Sequence, residues 1–168
     1  SQKHYLMILF VYDTVVLAGT YNAHPVPTAA AVATVERLLM NDGEVYRHVE
    51  ALGRATEESL REILGRLGME AVVARQGSAF CVYFMDHLPV DWHDLAGHHD
   101  FRRDEAMRRQ LIEEGIYFFP LATKQCSISA AHTADDIAVT LEAVGRVLER
   151  LAASGTCRGE ERSPENQS

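Results

Sequence analysis

Val15-Val16-Leu17-Ala18-Gly19-Thr20-Tyr21-Asn22-Ala23-His24-Pro25 decides how this 168-residue chain is read, together with the alanine-rich residues 28–35 that follow it. Gly19 has no Cβ to obstruct an approaching anion, and Thr20 adds a hydroxyl and an N–H just ahead of a helix N-terminus. Those are the requirements of a phosphate site. Pro25 and Pro27 are tolerated only in a first helical turn, so a helix is predicted to begin near Pro25. His24, just before it, reads as a helix-entry residue. Ala29, Ala30, Ala31, Val32, Ala33, Val35, Leu38 and Leu39 carry the helix to Met40. It is apolar all round and rich in small side chains, the pattern of a buried helix. Asn41-Asp42-Gly43 ends it.

Downstream the periodicity is clear. Val45, Val49, Leu52, Leu60, Ile63, Leu64 and Leu67 keep to one face of a second helix, with Glu50/Arg54, Glu57/Arg61 and Glu62/Arg66 paired four apart on the wet side. Gly68 stops it. Residues 71–74 and 79–85 read as a hairpin around Gln76-Gly77-Ser78, its second strand apolar on both faces and so central in a sheet. Residues 86–100 read as a His- and Asp-rich loop. Residues 101–114 read as a charged helix closed by Gly115, and residues 116–119 and 127–130 as two short strands. Thr133, with Asp136 three residues on, caps a last helix whose seam is Ile137, Leu141, Val144, Leu148 and Leu151. The polar tail from about Gly155 is expected to be disordered. The fold class is α+β: a small antiparallel or mixed sheet covered by helices, with a long N-terminal helix.

The quoted turn and its small-residue helix resemble the phosphate-contacting turn and following helix of class III aminotransferases, pyridoxal-phosphate enzymes that include glutamate semialdehyde aminomutase. Two further segments agree in order and spacing. Gly77-Ser78-Ala79-Phe80 is similar to the start of a central strand in that family. Glu114-Gly115-Ile116-Tyr117-Phe118-Phe119-Pro120 and Ser129-Ala130-Ala131-His132-Thr133-Ala134-Asp135-Asp136-Ile137 look like its last strands and the entry to its final helix. The resemblance covers roughly residues 15–151 and leans toward the aminomutase branch. It implies the small domain of a fold type I enzyme, divided here into a non-family segment 1–14, an aminotransferase class III C-terminal domain 15–152 and a disordered tail 153–168.

The resemblance also implies pyridoxal phosphate as cofactor. Thr20 and Gly19 would contact its phosphate in the neighbouring subunit of a homodimer. A small amino acid or amine would be the substrate of the complete enzyme. Transamination needs a Schiff-base lysine and a carboxylate facing the pyridinium nitrogen. The chain has two lysines, Lys3 and Lys124. Lys3 lies in a context unlike the family's lysine, and Lys124 lies in a turn that matches a segment beyond the catalytic domain. No catalytic residue is assigned, and whether this chain is itself an enzyme is left open. The N-terminal segment is read as the scar of a truncation or rearrangement, and the isolated chain is expected to be inactive. The competing reading is a non-catalytic dimerisation or interaction module derived from the family. A former interface left uncovered would then expose an apolar patch around residues 26–40.

The remaining features are weaker. His93, Asp94, His98, His99 and Asp100 are metal-ligand types, but their spacing fits no established zinc or di-metal motif, and no metal site is assigned. Arg102, Arg103, Arg108 and Arg109 are offset by Asp104, Glu105, Glu113 and Glu114 and read as a charged helix face. Cys126 has only Lys124 nearby to activate it and is not read as a nucleophile. His132, just before a capped helix, is expected to satisfy backbone groups. A formal net charge of −8 excludes a non-specific polyanion binder, so nucleic acid is not an expected partner. Residues 5–11 are apolar but far short of the roughly 20 residues of a membrane span. Asp13 interrupts the run and no A-x-A cleavage pattern follows. With Cys81, Cys126 and Cys157 odd in number and dispersed, a cytoplasmic protein with reduced thiols is expected.

Overall fold

A computed structural model describes residues 24–154. Gly19 and Thr20, the segment 1–14 and most of the tail lie outside the described residues. The chain divides into two compact units, Ser1–Glu44 and Val45–Ser168. The described elements are four helices and a three-stranded antiparallel sheet, the α+β architecture expected.

The helical run α1 (Pro25–Arg66) is two helices joined through a break at Met40, Asn41, Asp42 and Gly43, where the backbone leaves helical dihedrals. Asn41, Asp42 and Gly43 take φ of 49°, 57° and 72°. Asn, Asp and Gly are the residues that enter this left-handed region at least cost. The boundary between the units falls immediately after. In the first unit, His24 accepts the Val26 N–H at Nδ1, and its carbonyl accepts the N–H and hydroxyl of Thr28, as a helix-entry residue should. The expectation of burial fails, however. Val26 and Leu39 are each 70% exposed, and Val32, Val35 and Met40 are exposed as well. Periodicity alone cannot distinguish a helix covered by its own chain from one awaiting a partner.

The second unit holds the core. Its first helix buries Leu52, Thr56, Leu60 and Leu64. Gly53 is on the same face because nothing larger fits: a Cβ there would sit 2.4 Å from the carbonyl oxygen of Gly77. Gly77 turns the hairpin β1 (Val72–Gln76) to β2 (Ala79–Tyr83) at φ +60°, the conformation a Gly-first two-residue turn requires. Arg75 fastens hairpin to helix through Glu57 (2.6 Å), Glu50 (3.0 Å) and the Gly77 carbonyl (2.8 Å). The Glu50–Arg54 and Glu57–Arg61 pairs form, whereas Arg66 reaches Glu149 instead.

β2 is central, as its two apolar faces imply, pairing with β1 in the register Val73↔Val82 and with β3 (Cys126–Ser127) in the register Phe80↔Cys126. Two expectations are corrected. Residues 116–119 form no strand, because their backbone bonds locally: Ile116 N–H closes the preceding helix on Leu111, and Phe118 N–H bonds the Ile116 carbonyl. The span 86–100 is not all loop. It contains α2 (Trp92–His98), started by Asp91, whose carboxylate accepts the Asp94 N–H. The Asp91-x-x-Asp94 spacing was its sequence signal. α3 (Phe101–Glu113) is closed by Gly115 at φ +84°, and α4 (Ala134–Ala153) begins at the Thr133/Asp136 capping box. The core gathers Leu64, Val82, Met107, Leu111, Val144 and Leu148 from four of these elements.

Candidate functional site

An open cleft of ≈ 780 Å³ lies in the second unit between the 115–119 segment, β3 and the start of α4. Its apolar lining comes from Phe80, Phe118, Ile128 and Ile137. The T-shaped stacking of Phe80 on Phe118, ring centroids 6.1 Å apart, fixes this surface. His132, Asp135, Asp136 and Thr140 bring polar groups from the first turns of α4 and its entry, and Thr56, Tyr117, Gln125 and Ser127 add others from elsewhere. Asp136 is committed to the cap: its carboxylate accepts the Thr133 N–H (2.8 Å) and hydroxyl (2.8 Å), and those bonds hold it below the usual carboxylate range. His132 takes the Ser129 N–H at Nδ1 and offers its own carbonyl to His48 Nε2 (2.8 Å). It satisfies backbone groups, as expected of a residue leading into a capped helix.

A buried charged network flanks the cleft wall. Asp104 and Arg108, 0% and 1% exposed, form an ion pair at 2.6 Å one helical turn apart on α3. Asp104 also accepts from the Thr123 N–H (2.6 Å) and from His99 Nε2 (3.2 Å). Arg108 donates to the carbonyls of Phe119 (3.1 Å) and Lys124 (2.8 Å). Burial raises the Asp104 carboxyl most strongly of any single influence. The bonds from His99 and Thr123 and the Arg108 charge together outweigh it and hold the group below its ordinary value. The charged face read from the sequence is therefore corrected for these two residues. They are interior, and they clamp the 119–124 turn, including Thr123 at φ +61°, onto α3. An (i, i+4) acid–base pair looks the same in sequence whether wet or buried, so no local signal distinguished it.

The metal-ligand types of residues 93–100 are dispersed. His99 joins Asp104 in the interior and accepts the Phe84 N–H at Nδ1, Asp100 caps α3 by accepting the Arg103 N–H, and His93 is exposed. Asp94 and His98 are instead brought beside His87.

Neither thiol in the described residues is activated. Burial pushes Cys126 up to about 11 and raises Cys81, which excludes a thiolate nucleophile at neutral pH.

In three dimensions the chain superposes on a transaminase with PLP bound, with a TM-score of 0.68 and 25% identity, over 90% of this chain and 34% of that one. In sequence it is 37% identical over 131 residues to a glutamate-1-semialdehyde 2,1-aminomutase of Thermus thermophilus, covering 78% of this chain and 30% of the relative. The enzyme of the same name from Akkermansia muciniphila is 35% identical over 134 residues, 80% of this chain and 31% of the relative. The chain thus matches glutamate-1-semialdehyde 2,1-aminomutases over about 80% of its own length and shares the fold of a PLP transaminase. It spans about a third of the length of the relatives it matches. No protein-family model matches it.

A class III aminotransferase holds its cofactor through a lysine. Lys124 is the one lysine among the described residues. It is exposed, with its ammonium 5.8 Å from the centroid of the Phe119 ring. Of the cleft's carboxylates, Asp136 is engaged by its cap. The lone described lysine is exposed and lies outside the cleft lining, so it does not fit the aldehyde end of pyridoxal phosphate. The phosphate end, assigned to Gly19 and Thr20, lies outside the described residues. No helix among the described residues is long and apolar enough to cross a membrane.

Proposed function

We propose that this chain is the C-terminal small-domain portion of a glutamate-1-semialdehyde aminomutase-like aminotransferase, contributing to amino-group transfer on pyridoxal phosphate without holding the reactive lysine itself. What carries the reading is the match to these enzymes over more than three quarters of the chain, combined with a lone described lysine that sits on the surface. Bound in the complete enzyme, the cofactor would supply the electron sink for amino transfer. Thr20, through its hydroxyl and N–H, and Gly19, by leaving the approach open, would hold the phosphate of the neighbouring subunit in a homodimer. The Asp104–Arg108 clamp would keep the cleft wall rigid. A small amino acid or amine is the substrate class, and the cytoplasm the setting.

Mixing the purified chain with the part of a related aminomutase that it does not span tests this reading. Assembly should restore amino transfer, and Thr20→Ala should lower cofactor affinity roughly tenfold, the scale of one charge-assisted phosphate bond. An assembled complex that binds no cofactor would contradict it.

One observation favours the second reading, a non-catalytic dimerisation module: the apolar residues 26–40 are exposed. Sedimentation distinguishes the two. The module requires a dimer of the chain alone that Leu39→Ser disrupts.

A further inference from the structure

Three side chains outside the cleft converge without a structural task that needs all of them. Asp94 and His98 lie four apart on α2, and so on one face of the helix. His87 comes to them from the connection between β2 and α2. One donor atom from each lies within 4.8 Å of the others. His87 Nε2 is 3.0 Å and His98 Nδ1 2.9 Å from the same carboxylate oxygen of Asp94, and His98 Nδ1 is also 2.9 Å from the Asp94 backbone carbonyl, a bond that an ion would have to displace. A tetrahedral ion with bonds of 2.0–2.1 Å sets its ligands about 3.3 Å apart, close to the two His–Asp94 distances, so an ion could replace those hydrogen-bonded protons with a limited shift of the rings. We propose that His87, Asp94 and His98 form a binding site for a divalent transition-metal ion of the zinc type, completed by water.

The surroundings suit such an ion. Asp86 bonds His87 at Nδ1, fixing the ring and leaving Nε2 as the coordinating nitrogen, as the outer carboxylate of metal-bound histidines does. Asp94 is anchored by the Val90 N–H at 2.9 Å through its other oxygen. The two imidazole rings meet edge to face, their centroids 5.1 Å apart. His87 and His98 are partly exposed, which gives the ion a path in and leaves room for water. Two imidazoles and one carboxylate select zinc, nickel, cobalt or copper over magnesium and calcium, which require oxygen ligands. The ion would tie the 86–90 connection to α2 without touching the core. No motif search finds the set, because His87 is separated from Asp94 by a turn rather than by a standard ligand spacing.

The test is a titration of the purified chain with zinc chloride at about pH 7.5 in competition with a chromophoric chelator. The expected result is one ion per chain. His87→Ala and His98→Ala should each weaken binding by about tenfold or more, the scale of lost ligand-sphere groups, and excess magnesium should not compete. His93→Ala, on the same helix but outside the set, should leave affinity unchanged. Circular dichroism verifies that each variant is folded. Failure of zinc to bind the wild-type chain would overturn the proposal. So would binding that survives both substitutions, or that is lost only on alkylation of the thiols.

Discussion

Residues 25–40 and residues 45–153 are both apolar, and the structure treats them in opposite ways. In the first region Val26, Val32, Val35 and Leu39 face solvent. In the second, Leu111, Val147 and Leu148 are sealed in a core that also encloses an ion pair. Composition sets how much apolar surface a segment has, and the chain's own contacts decide whether that surface is covered. Apolar surface that a chain leaves uncovered points to a partner.

If the contrast is real, substitutions in the second region should cost stability and those in the first should not. Arg108→Ala carries the largest expected effect. It leaves Asp104 charged, buried and unpaired, at a cost of about 3–5 kcal/mol, read from chemical denaturation. The same pair gives a pH test. Asp104 has a lowered pKa when folded, so its contribution is complete above the unfolded carboxylate value of about 3.9 and is lost as pH falls through the lower folded value. Asp104→Asn should flatten the dependence of stability on pH in that acid window, and an unchanged slope would show that the pair is not interior.

Gly53→Ala comes next. The new methyl meets the Gly77 carbonyl oxygen, a backbone atom that cannot swing aside, and overpacking of this kind costs about 1–3 kcal/mol. A neutral or stabilising result, as helix propensity alone would give, would mean that helix and hairpin are not so closely joined. Thr133→Ala removes one half of the α4 capping box and should cost about 1 kcal/mol. Leu39→Ser should change the stability of the isolated chain by no more than about 0.5 kcal/mol. A loss like that of a core leucine would erase the distinction between the two regions.

What could be read from the sequence follows the same division. Asn41-Asp42-Gly43 announced the break because each residue tolerates positive φ, and Thr133 with Asp136 announced α4 because a capping box is local chemistry. The centrality of β2 followed from a run apolar on both faces. Burial set by distant partners was not legible. The Asp104–Arg108 pair has the spacing of a solvent-side pair, and residues 116–119 have the composition of a strand but bond within their own turn. The His87–Asp94–His98 group was partly visible, since two of its members stood among the metal-ligand types while the third, His87, lay in the same loop but was not grouped with them. Gly19 and Thr20 were chosen by resemblance, and their assignment remains a proposal outside the described residues.

The central claim is that this chain carries part of a pyridoxal-phosphate site and not the lysine that completes it. Incubating the purified chain with pyridoxal phosphate, reducing with borohydride and mapping the product by mass spectrometry tests it directly. The account predicts no stoichiometric adduct at Lys3 or Lys124. A single lysine labelled one-to-one, with a matching absorbance band before reduction, would contradict it.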